Sequence, residues 1–273
     1  MEYKILNNGI KMPVLGYGTY YASPTDTEKN VSNAIKCGYR HFDTAKWYCN
    51  ERQVASAIKK SKIKREKFFI TGKVESKGYT ETLKEIEESM NNLDIEYYDL
   101  LLIHWPSNDI LGTYRALEET YLNGRAKAIG LSNFNEDECN YIIENAKVYP
   151  QVNQIETHIY FQEDKMNKFL NKKNIQHESW APFAEGYMGM LKDKTLVEIS
   201  KKYNKSVAQL ILRYLIQKDI IVIPKTTKVK HMKENIDVFD FQISNNDMQR
   251  IKALDRKEQY SSFPPSMKKE TYY

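Results

Sequence analysis

Short apolar runs alternate with segments of helical periodicity along the whole chain. Between the runs, apolar residues recur at helical spacing, as at Val31, Ala34 and Ile35, which places them on one face of a helix. The runs themselves have the length and apolar character of strands. Eight strands are predicted, at residues 15–19, 39–43, 68–73, 99–104, 126–132, 152–156, 175–180 and 220–224.

This repeated strand-helix order predicts the fold class. About eight such units with a parallel sheet match an α/β protein of the closed (β/α)8 TIM-barrel type better than an open doubly wound sheet. Residues 4–13, divided by Asn8 and Gly9, predict a hairpin that covers the barrel bottom. Since no stretch has the composition of a linker, we expect a single domain over residues 1–273.

Two helix starts carry the spacing of a capping box. Thr25 is followed by Glu28, and Ser206 is followed by Gln209. In this arrangement the first side chain caps the helix and the second bonds back to the backbone of the first. The two pairs predict helices that begin just after Thr25 and Ser206.

Composition excludes several classes of protein. A hydrophobic share of 41% with 12% aromatic residues is enough for a sizeable core, so disorder throughout the chain is excluded. The 41 basic and 36 acidic residues leave a net charge of +5 that is spread along the chain. Nucleic-acid binders more often show a clustered basic face, so we expect no nucleic-acid partner.

The cysteines and the apolar runs predict a compartment. Cys37, Cys49 and Cys139 form no Cys-x-x-Cys pair, which argues against a disulfide framework or a structural zinc site and favours a reducing compartment. The start of the chain lacks a basic segment followed by an apolar stretch, and runs such as residues 100–103 are too short to span a bilayer. We expect a cytoplasmic protein with no membrane partner.

Ionisable residues end three successive predicted strands. Catalytic groups of such barrels come from the C-terminal strand ends, and here these positions hold Asp43, Lys73 and His104. A single polar residue at a strand end usually satisfies nearby backbone or solvent. Buried charges are unfavourable unless they are paired or functional, so the three together favour a site.

Tyr48 follows Asp43 closely and supplies a proton donor. A nearby ammonium stabilises a phenolate and lowers the phenol pKa, and Lys73 is the expected ammonium. Asp43 is expected to hold Lys73, and His104 to donate a hydrogen bond to the oxygen of a bound carbonyl. The pattern predicts acid catalysis on a polarised carbonyl.

Six segments, in order, resemble the aldo-keto reductase family, in its bacterial carbonyl-reductase or 2,5-diketo-gluconate reductase-like form. The resemblance covers nearly the whole chain, and the ordered set is far more specific than any one segment. The segments are residues 15–19, 42–45 with 48–51, 103–106, 130–134, 179–182, and 223–225 through 234–235.

The resemblance implies hydride transfer from a nicotinamide cofactor to aldehydes and ketones. Asp43, Tyr48, Lys73 and His104 match the catalytic residues of the family. By the same matching, Ser132, Asn133 and Gln154 hold the carboxamide, Trp180 stacks on the nicotinamide, and Gly18 and Thr19 let the cofactor approach the first strand. Further cofactor contacts are implied at Ala181, Pro182, Phe183, Lys225, Thr226, Thr227, His231, Glu234 and Asn235.

One of these positions departs from the family pattern. The family usually has an arginine where this chain has His231, and a guanidinium grips a 2'-phosphate better than an imidazole that is mostly neutral at pH 7. Lys225, Lys228 and Lys230 add positive charge nearby. We therefore predict NADPH over NADH, with a preference that is smaller than usual and grows as the pH falls.

Aromatic residues flank the predicted site. Tyr20, Trp47 and Trp105 could form an apolar wall that suits small aldehydes, dicarbonyls or aromatic ketones, although ordinary packing explains Tyr20 about as well. Residues 263–273 fall where the family places a loop over the site, and a short cover predicts broad specificity.

Cys49 follows Tyr48 where the family commonly has glycine. We expect a monomer acting on a small-molecule carbonyl.

Two other classes stay open at this point. A metal-dependent barrel hydrolase could use His41 with Asp43, which share a strand face, together with His104, His158 and His177. It explains neither Tyr48 and Lys73 nor the cofactor-like segments, so no metal is predicted. A nicotinamide-binding regulatory barrel with little turnover is the second alternative.

Overall fold

Eight parallel strands form the centre of the molecule. A computed structural model describes residues 2–20 and 24–261. In it, consecutive strands pair side by side, in the order in which they occur along the chain. The parallel strands are β3 Tyr17–Gly18, β4 His41–Asp43, β5 Phe69–Val74, β6 Leu100–Ile103, β7 Ile129–Ser132, β8 Val152–Glu156, β9 Gln176–Trp180 and β10 Ile221–Val222.

The sheet closes on itself between its last and first strands. Leu15, just before β3, forms a parallel bridge with Val222 of β10. Gly16 N donates to Val222 O at 2.9 Å, and Val222 N donates to Val14 O at 3.0 Å. The (β/α)8 barrel is therefore confirmed, and all eight predicted runs hold a strand. The first and last strands have only two residues each. Where they meet and close the barrel, the neighbouring backbone pairs through single hydrogen bonds that do not extend either strand.

Helices pack around the barrel and alternate with its strands. Their apolar faces and the outer faces of the strands form the larger core, which includes Val31, Ile86, Leu117 and Ile142. The helices are α1 Pro24–Lys36, α2 Glu51–Lys60, α3 Tyr79–Leu93, α4 Ile110–Leu122, α5 Glu136–Asn145, α6 Asp164–Lys172, α7 Lys194–Lys202, α8 Val207–Gln217, α9 Val229–Ile236 and α10 Asn245–Lys252.

One of the two predicted capping boxes is confirmed. Ser206 Oγ accepts from Gln209 N at 3.2 Å, and Gln209 Oε1 accepts from Ser206 N at 3.0 Å, so α8 begins as predicted. The prediction at Thr25 is wrong, because α1 already includes Pro24, and Thr25 lies within its first turn. Proline suits a first helical position because its φ is fixed near the helical value.

An N-terminal hairpin covers one end of the barrel, as predicted. β1 Tyr3–Ile5 and β2 Lys11–Pro13 pair antiparallel, and Gly9 turns between them with a φ of 87° that glycine adopts without strain. Leu6 and Met12 pack on the first residues of several barrel strands, including Leu100 and Val152. Because these are the N-terminal strand ends, the hairpin occupies the bottom and the opposite mouth holds the predicted site.

The described part of the chain comprises residues 2–20 and 24–261, and its longest helix is α3. No helix in these ranges is both long enough and apolar enough to cross a bilayer.

Candidate functional site

A buried ion pair lies at the barrel mouth. Asp43 ends β4, and Lys73 lies near the end of the neighbouring strand β5. Both side chains are buried, and Lys73 Nζ donates to Asp43 Oδ1 at 2.5 Å. The parallel register brings two side chains thirty positions apart into direct contact, as the strand-end reasoning predicts. The pair is oriented by two rigid strands.

Tyr48 lies directly above this pair. It ends the short 3-10 helix Lys46–Tyr48 that follows β4, and its hydroxyl accepts from Lys73 Nζ at 3.3 Å. The ammonium also lies 5.1 Å from the centre of the tyrosine ring. Asp43, Lys73 and Tyr48 therefore form one hydrogen-bonded chain from the barrel interior to the mouth.

The pKa of Tyr48 moves in the opposite direction from the prediction. Burial, the largest effect, raises the pKa of the phenol to about 12, and the Asp43 carboxylate adds to the rise. Lys73 lowers the pKa as expected, but it does not outweigh burial. The expectation of a net lowered pKa is therefore wrong for this form of the protein, and Tyr48 holds its proton throughout the physiological range.

His104 lies beside Tyr48 just after β6. The two rings are 5.6 Å apart, centre to centre, and nearly perpendicular. Burial and, to a smaller extent, the charge of Lys73 hold the pKa of His104 well below its usual range. A neutral imidazole still has one N–H to donate, so this histidine can polarise an oxygen without carrying charge.

One hydrogen-bonded group at the ends of β7 and β9 contains Ser132, Asn133 and Trp180. Asn133 Nδ2 donates to Ser132 Oγ at 3.0 Å and to His104 O at 2.9 Å. Trp180 Nε1 donates to Asn133 Oδ1 at 2.8 Å, which fixes the indole ring. On the neighbouring strand, Gln154 Nε2 donates to Asp43 Oδ2 at 2.9 Å. Of the predicted carboxamide residues, Gln154 therefore contacts the ion pair directly, and Asn133 bonds the backbone of His104.

Sequence reasoning missed one residue of this cluster. Glu178 lies two residues before Trp180 on β9 and is fully buried. Its Oε2 accepts from Gln154 Nε2 at 2.8 Å, so Gln154 bridges Glu178 and Asp43. Successive side chains of a strand alternate in direction, so an ionisable residue two positions before Trp180 shares its inward face. This alternation along β9 could have identified Glu178 from the sequence.

The first strand and its loop approach the ion pair closely. Thr19 donates to Asp43 O through both its N and its Oγ1, each at 3.0 Å. A Cβ at Gly18 would lie 3.1 Å from Ile223 O, which is tighter than ordinary contact. Gly18 therefore lets β3 and the end of the barrel come together beside the site.

The other predicted cofactor residues lie in the two loops that follow β9 and β10. Ala181 leaves β9 in the left-handed conformation, with a φ of 49°, and Pro182 and Phe183 follow it. The second loop is tied to β3, because Tyr17 Oη donates to Thr226 O at 2.6 Å. Lys225 and Thr227 of this loop are exposed, as is His231 in α9, whereas Glu234 is half-buried and Asn235 is buried.

Aromatic rings surround the mouth. Tyr20 stacks on Trp47 at 5.9 Å, Trp47 lies 6.3 Å from His104, and Trp105 lies 6.5 Å from Trp180, all between ring centres. The predicted wall of Tyr20, Trp47 and Trp105 is thus adjacent to the catalytic cluster. The predicted cover, residues 263–273, lies outside the described residues.

A cavity of about 470 Å³ opens beside this aromatic wall. Its lining includes Trp105, Asn133 and Trp180, together with Glu156 and Glu163. Burial, and then the nearby acidic groups, raises the pKa of Glu163 to about 7. A cavity of this size accommodates a small organic molecule.

Two of the histidines proposed for a metal-dependent hydrolase form hydrogen bonds with different threonines. His41 Nε2 bonds Thr71 Oγ1 at 3.1 Å, and His177 Nε2 bonds Thr157 Oγ1 at 2.8 Å. Within the described ranges, no group of three or more His, Cys, Asp or Glu side chains is arranged to hold a metal ion.

Cys49, next to Tyr48, occupies a position that suits glycine. Its φ of 55° is left-handed, and its side chain is exposed. Relieving this strain gains about 1–2 kcal/mol, and the added flexibility of glycine costs about 0.5–1 kcal/mol. We expect Cys49→Gly to raise the free energy of unfolding by about 0.5–1 kcal/mol, measured by urea denaturation. Cys49→Ala, which loses the thiol but keeps Cβ, should gain nothing; equal gains in both variants would contradict the backbone explanation.

Comparisons with known proteins agree with this geometry. The model of the Aldo/keto reductase family matches residues 14–256. The chain is 40% identical over 266 residues to glyoxal reductase of Bacillus subtilis (strain 168), covering 96% of each protein. It is 37% identical to morphine 6-dehydrogenase of Pseudomonas putida, covering 92% of this chain and 90% of that protein.

A solved structure gives the same result. The crystal structure of MGS-M4, an aldo-keto reductase from a Medee basin deep-sea metagenome library, matches with a TM-score of 0.92 and 39% identity, over 96% of this chain and 100% of that one. The barrel and the cluster at its mouth are those of a barrel oxidoreductase. The chain belongs to the aldo-keto reductase family, and is an oxidoreductase of a family that reduces carbonyl compounds.

Proposed function

We propose that the protein reduces small or aromatic aldehydes, ketones and dicarbonyls to alcohols with NADPH, and that Tyr48 is the proton donor. The observation that carries the proposal is the chain from Asp43 through Lys73 to Tyr48, with distances of 2.5 and 3.3 Å, at the open end of the barrel beside His104. When bound, a nicotinamide cofactor would supply the hydride for the carbonyl carbon.

The protein supplies the proton and the charged groups that stabilise the reacting atoms. Tyr48 gives its phenol proton to the substrate oxygen, and the Lys73 ammonium stabilises the phenolate that is left. Asp43 holds Lys73 in place and balances its charge. The neutral His104 ring donates to the same substrate oxygen, which orients the carbonyl before the proton moves.

The polar groups beside Trp180 fit a nicotinamide carboxamide. The amide nitrogens of Asn133 and Gln154 are already used within the protein, which leaves acceptor capacity on Asn133 Oδ1 and Gln154 Oε1. Two acceptors match the two N–H groups of the carboxamide, and the Ser132 hydroxyl can donate to its carbonyl. Trp180 would stack on the ring in the orientation that its bond to Asn133 fixes.

The 2'-phosphate of NADPH would be surrounded by Lys225, Thr226, Thr227 and Lys228. The exposed lysines supply charge, and the loop is held by the bond between Tyr17 and Thr226. We propose that Glu234 and Asn235 contact the adenosine end, and that the turn at Ala181, Pro182 and Phe183 borders the cofactor where β9 ends.

His231 makes the cofactor preference depend on pH. His231 is exposed in α9, and an imidazole attracts a phosphate only when it is protonated. We expect the ratio of kcat/KM for NADPH to that for NADH to rise several-fold as the pH falls. His231→Gln should flatten this dependence, and His231→Arg should raise the ratio at every pH tested. A flat ratio in the wild type would show that His231 does not bind the phosphate.

The proposed function is tested by the loss of NADPH absorbance with methylglyoxal and a panel of aromatic aldehydes and ketones. NADPH binding is followed separately by fluorescence quenching. Turnover together with binding supports the proposal. Binding without turnover across the panel would instead indicate a nicotinamide-binding regulatory barrel, and a lack of binding would contradict the cofactor assignment.

A further inference from the structure

Glu178 is an acid placed deep in the barrel, outside the proposed catalytic set. Its side chain is fully buried, and its Oε2 accepts from Gln154 Nε2 at 2.8 Å. Its Oε1 makes no hydrogen bond to any described side chain, and it lies 3.7 Å from His41 Nε2. One oxygen is therefore fixed by an amide, and the other faces a neutral part of the interior.

The charged groups around Glu178 do not balance a second carboxylate. Asp43 and Lys73 already neutralise one another at 2.5 Å. Burial lowers the pKa of His41 to about 3, so this ring carries no charge at neutral pH. Burial and then the charge of Asp43 raise the pKa of Glu178 to about 8, although Gln154 and Lys73 act in the opposite direction. At neutral pH the cluster therefore has a single anion and a single cation.

The same contact fixes the orientation of Gln154. An amide NH2 has two hydrogens, and here one is donated to Asp43 Oδ2 and the other to Glu178 Oε2. Because Asp43 Oδ2 and Glu178 Oε2 both accept, with the Glu178 proton on Oε1, the rotated amide would bring its own oxygen against two acceptors, which is unfavourable. Glu178 thus determines where Gln154 Oε1 points, and this oxygen is the proposed acceptor for the cofactor.

We propose that Glu178 is a positioning residue that remains protonated during turnover, holds the Gln154 amide in its cofactor-binding orientation, and keeps a second negative charge away from Asp43 and Lys73. This inference rests on the proposed carbonyl reduction. The residue is expected to act through Gln154 and through the charge below Tyr48, without touching the substrate.

A dependence on pH follows. When Glu178 ionises, a second anion joins Asp43 in the interior, and it opposes formation of the phenolate at Tyr48 as the proton leaves. Tyr48 itself keeps its proton to much higher pH. The reductive kcat should therefore fall as the pH rises through about 8, toward a lower value set by the ionised form.

Glu178→Gln separates charge from packing. The amide keeps the volume and an oxygen to accept from Gln154, but it cannot ionise. We expect kcat near pH 6.5 to stay within about threefold of the wild type, and the fall above about pH 8 to disappear or move at least about one pH unit higher. Glu118→Gln is the matched control, because it removes an equally buried carboxyl in α4 and should keep the wild-type inflection.

Glu178→Leu tests the orientation of Gln154. It removes the acceptor, so NADPH should bind about tenfold more weakly, whereas Glu178→Gln should restore wild-type binding. Binding is read from fluorescence quenching and needs no turnover. Infrared difference spectra between about pH 6 and 10 add a direct readout, since the C=O band of a protonated carboxyl should be lost with rising pH in the wild type and absent from Glu178→Gln.

The outcomes separate this inference from the proposed function. An unchanged pH inflection in Glu178→Gln, or the absence of a titrating carboxyl band, would overturn the protonated state. Wild-type affinity in Glu178→Leu would overturn the role of the amide contact. A wild-type protein that binds NADPH but reduces no carbonyl would refute the proposed function, while the infrared titration would still decide the state of Glu178.

Discussion

Tyr48→Phe is expected to lower kcat for carbonyl reduction by about 10²- to 10⁴-fold, because it removes the proton donor and leaves the ring in place. The lost hydroxyl is the one that meets Lys73 Nζ at 3.3 Å. NADPH affinity should change by less than about twofold, since the carboxamide residues and the phosphate loop are unaltered. Initial rates with NADPH and methylglyoxal, together with fluorescence titration, give both quantities.

Tyr114→Phe controls for the loss of a buried hydroxyl. Tyr114 donates to Val148 O at 2.9 Å in the outer helical layer and is fully buried. Its substitution should lower the free energy of unfolding by about 1 kcal/mol and leave kcat near that of the wild type. If Tyr48→Phe retained kcat within a few-fold, the proton would have to come from another group, and the role of Tyr48 would be wrong.

The fold could be predicted because the relevant signals are local. Each strand is a short apolar run, and the capping box at Ser206 depends on residues three positions apart. Parallel strands place all their carboxyl ends at one mouth, so Asp43, Lys73 and His104 could be grouped without knowing any distance. The extents of the first and last strands depend on how the barrel closes, which no local pattern contains.

The energetics of the site depend on contacts that the sequence pattern does not specify. Whether Lys73 or burial decides the pKa of Tyr48 depends on how deeply the phenol is buried, and burial prevailed. The bridge from Asp43 through Gln154 to Glu178 joins three strands, and Gln154 lies 111 positions from Asp43. Motif matching identified Gln154 but assigned it only to the cofactor. Its two acidic partners emerge from the register of the closed sheet.

The Asp43–Lys73 pair gives the second large expected effect. Burial alone would lower the pKa of Lys73, but the Asp43 carboxylate and the Tyr48 hydroxyl raise it above its ordinary value, so the ammonium persists at every physiological pH. Lys73→Met leaves the Asp43 carboxylate buried with Gln154 as its remaining side-chain donor among the described residues. We expect the free energy of unfolding to fall by about 3–5 kcal/mol, and kcat to fall by about 10²-fold or more.

A double-mutant cycle separates the structural role of the pair from its catalytic role. Asp43→Asn should also destabilise the protein, because it leaves a buried ammonium without its counter-charge. The double variant, Asp43→Asn with Lys73→Met, removes both charges and should be more stable than the sum of the single losses by about 2 kcal/mol, measured by urea unfolding. Its kcat should remain as low as that of Lys73→Met, since no cation is left to stabilise the Tyr48 phenolate. Recovery of activity along with stability would mean that the pair only supports the barrel and that Tyr48 needs no ammonium.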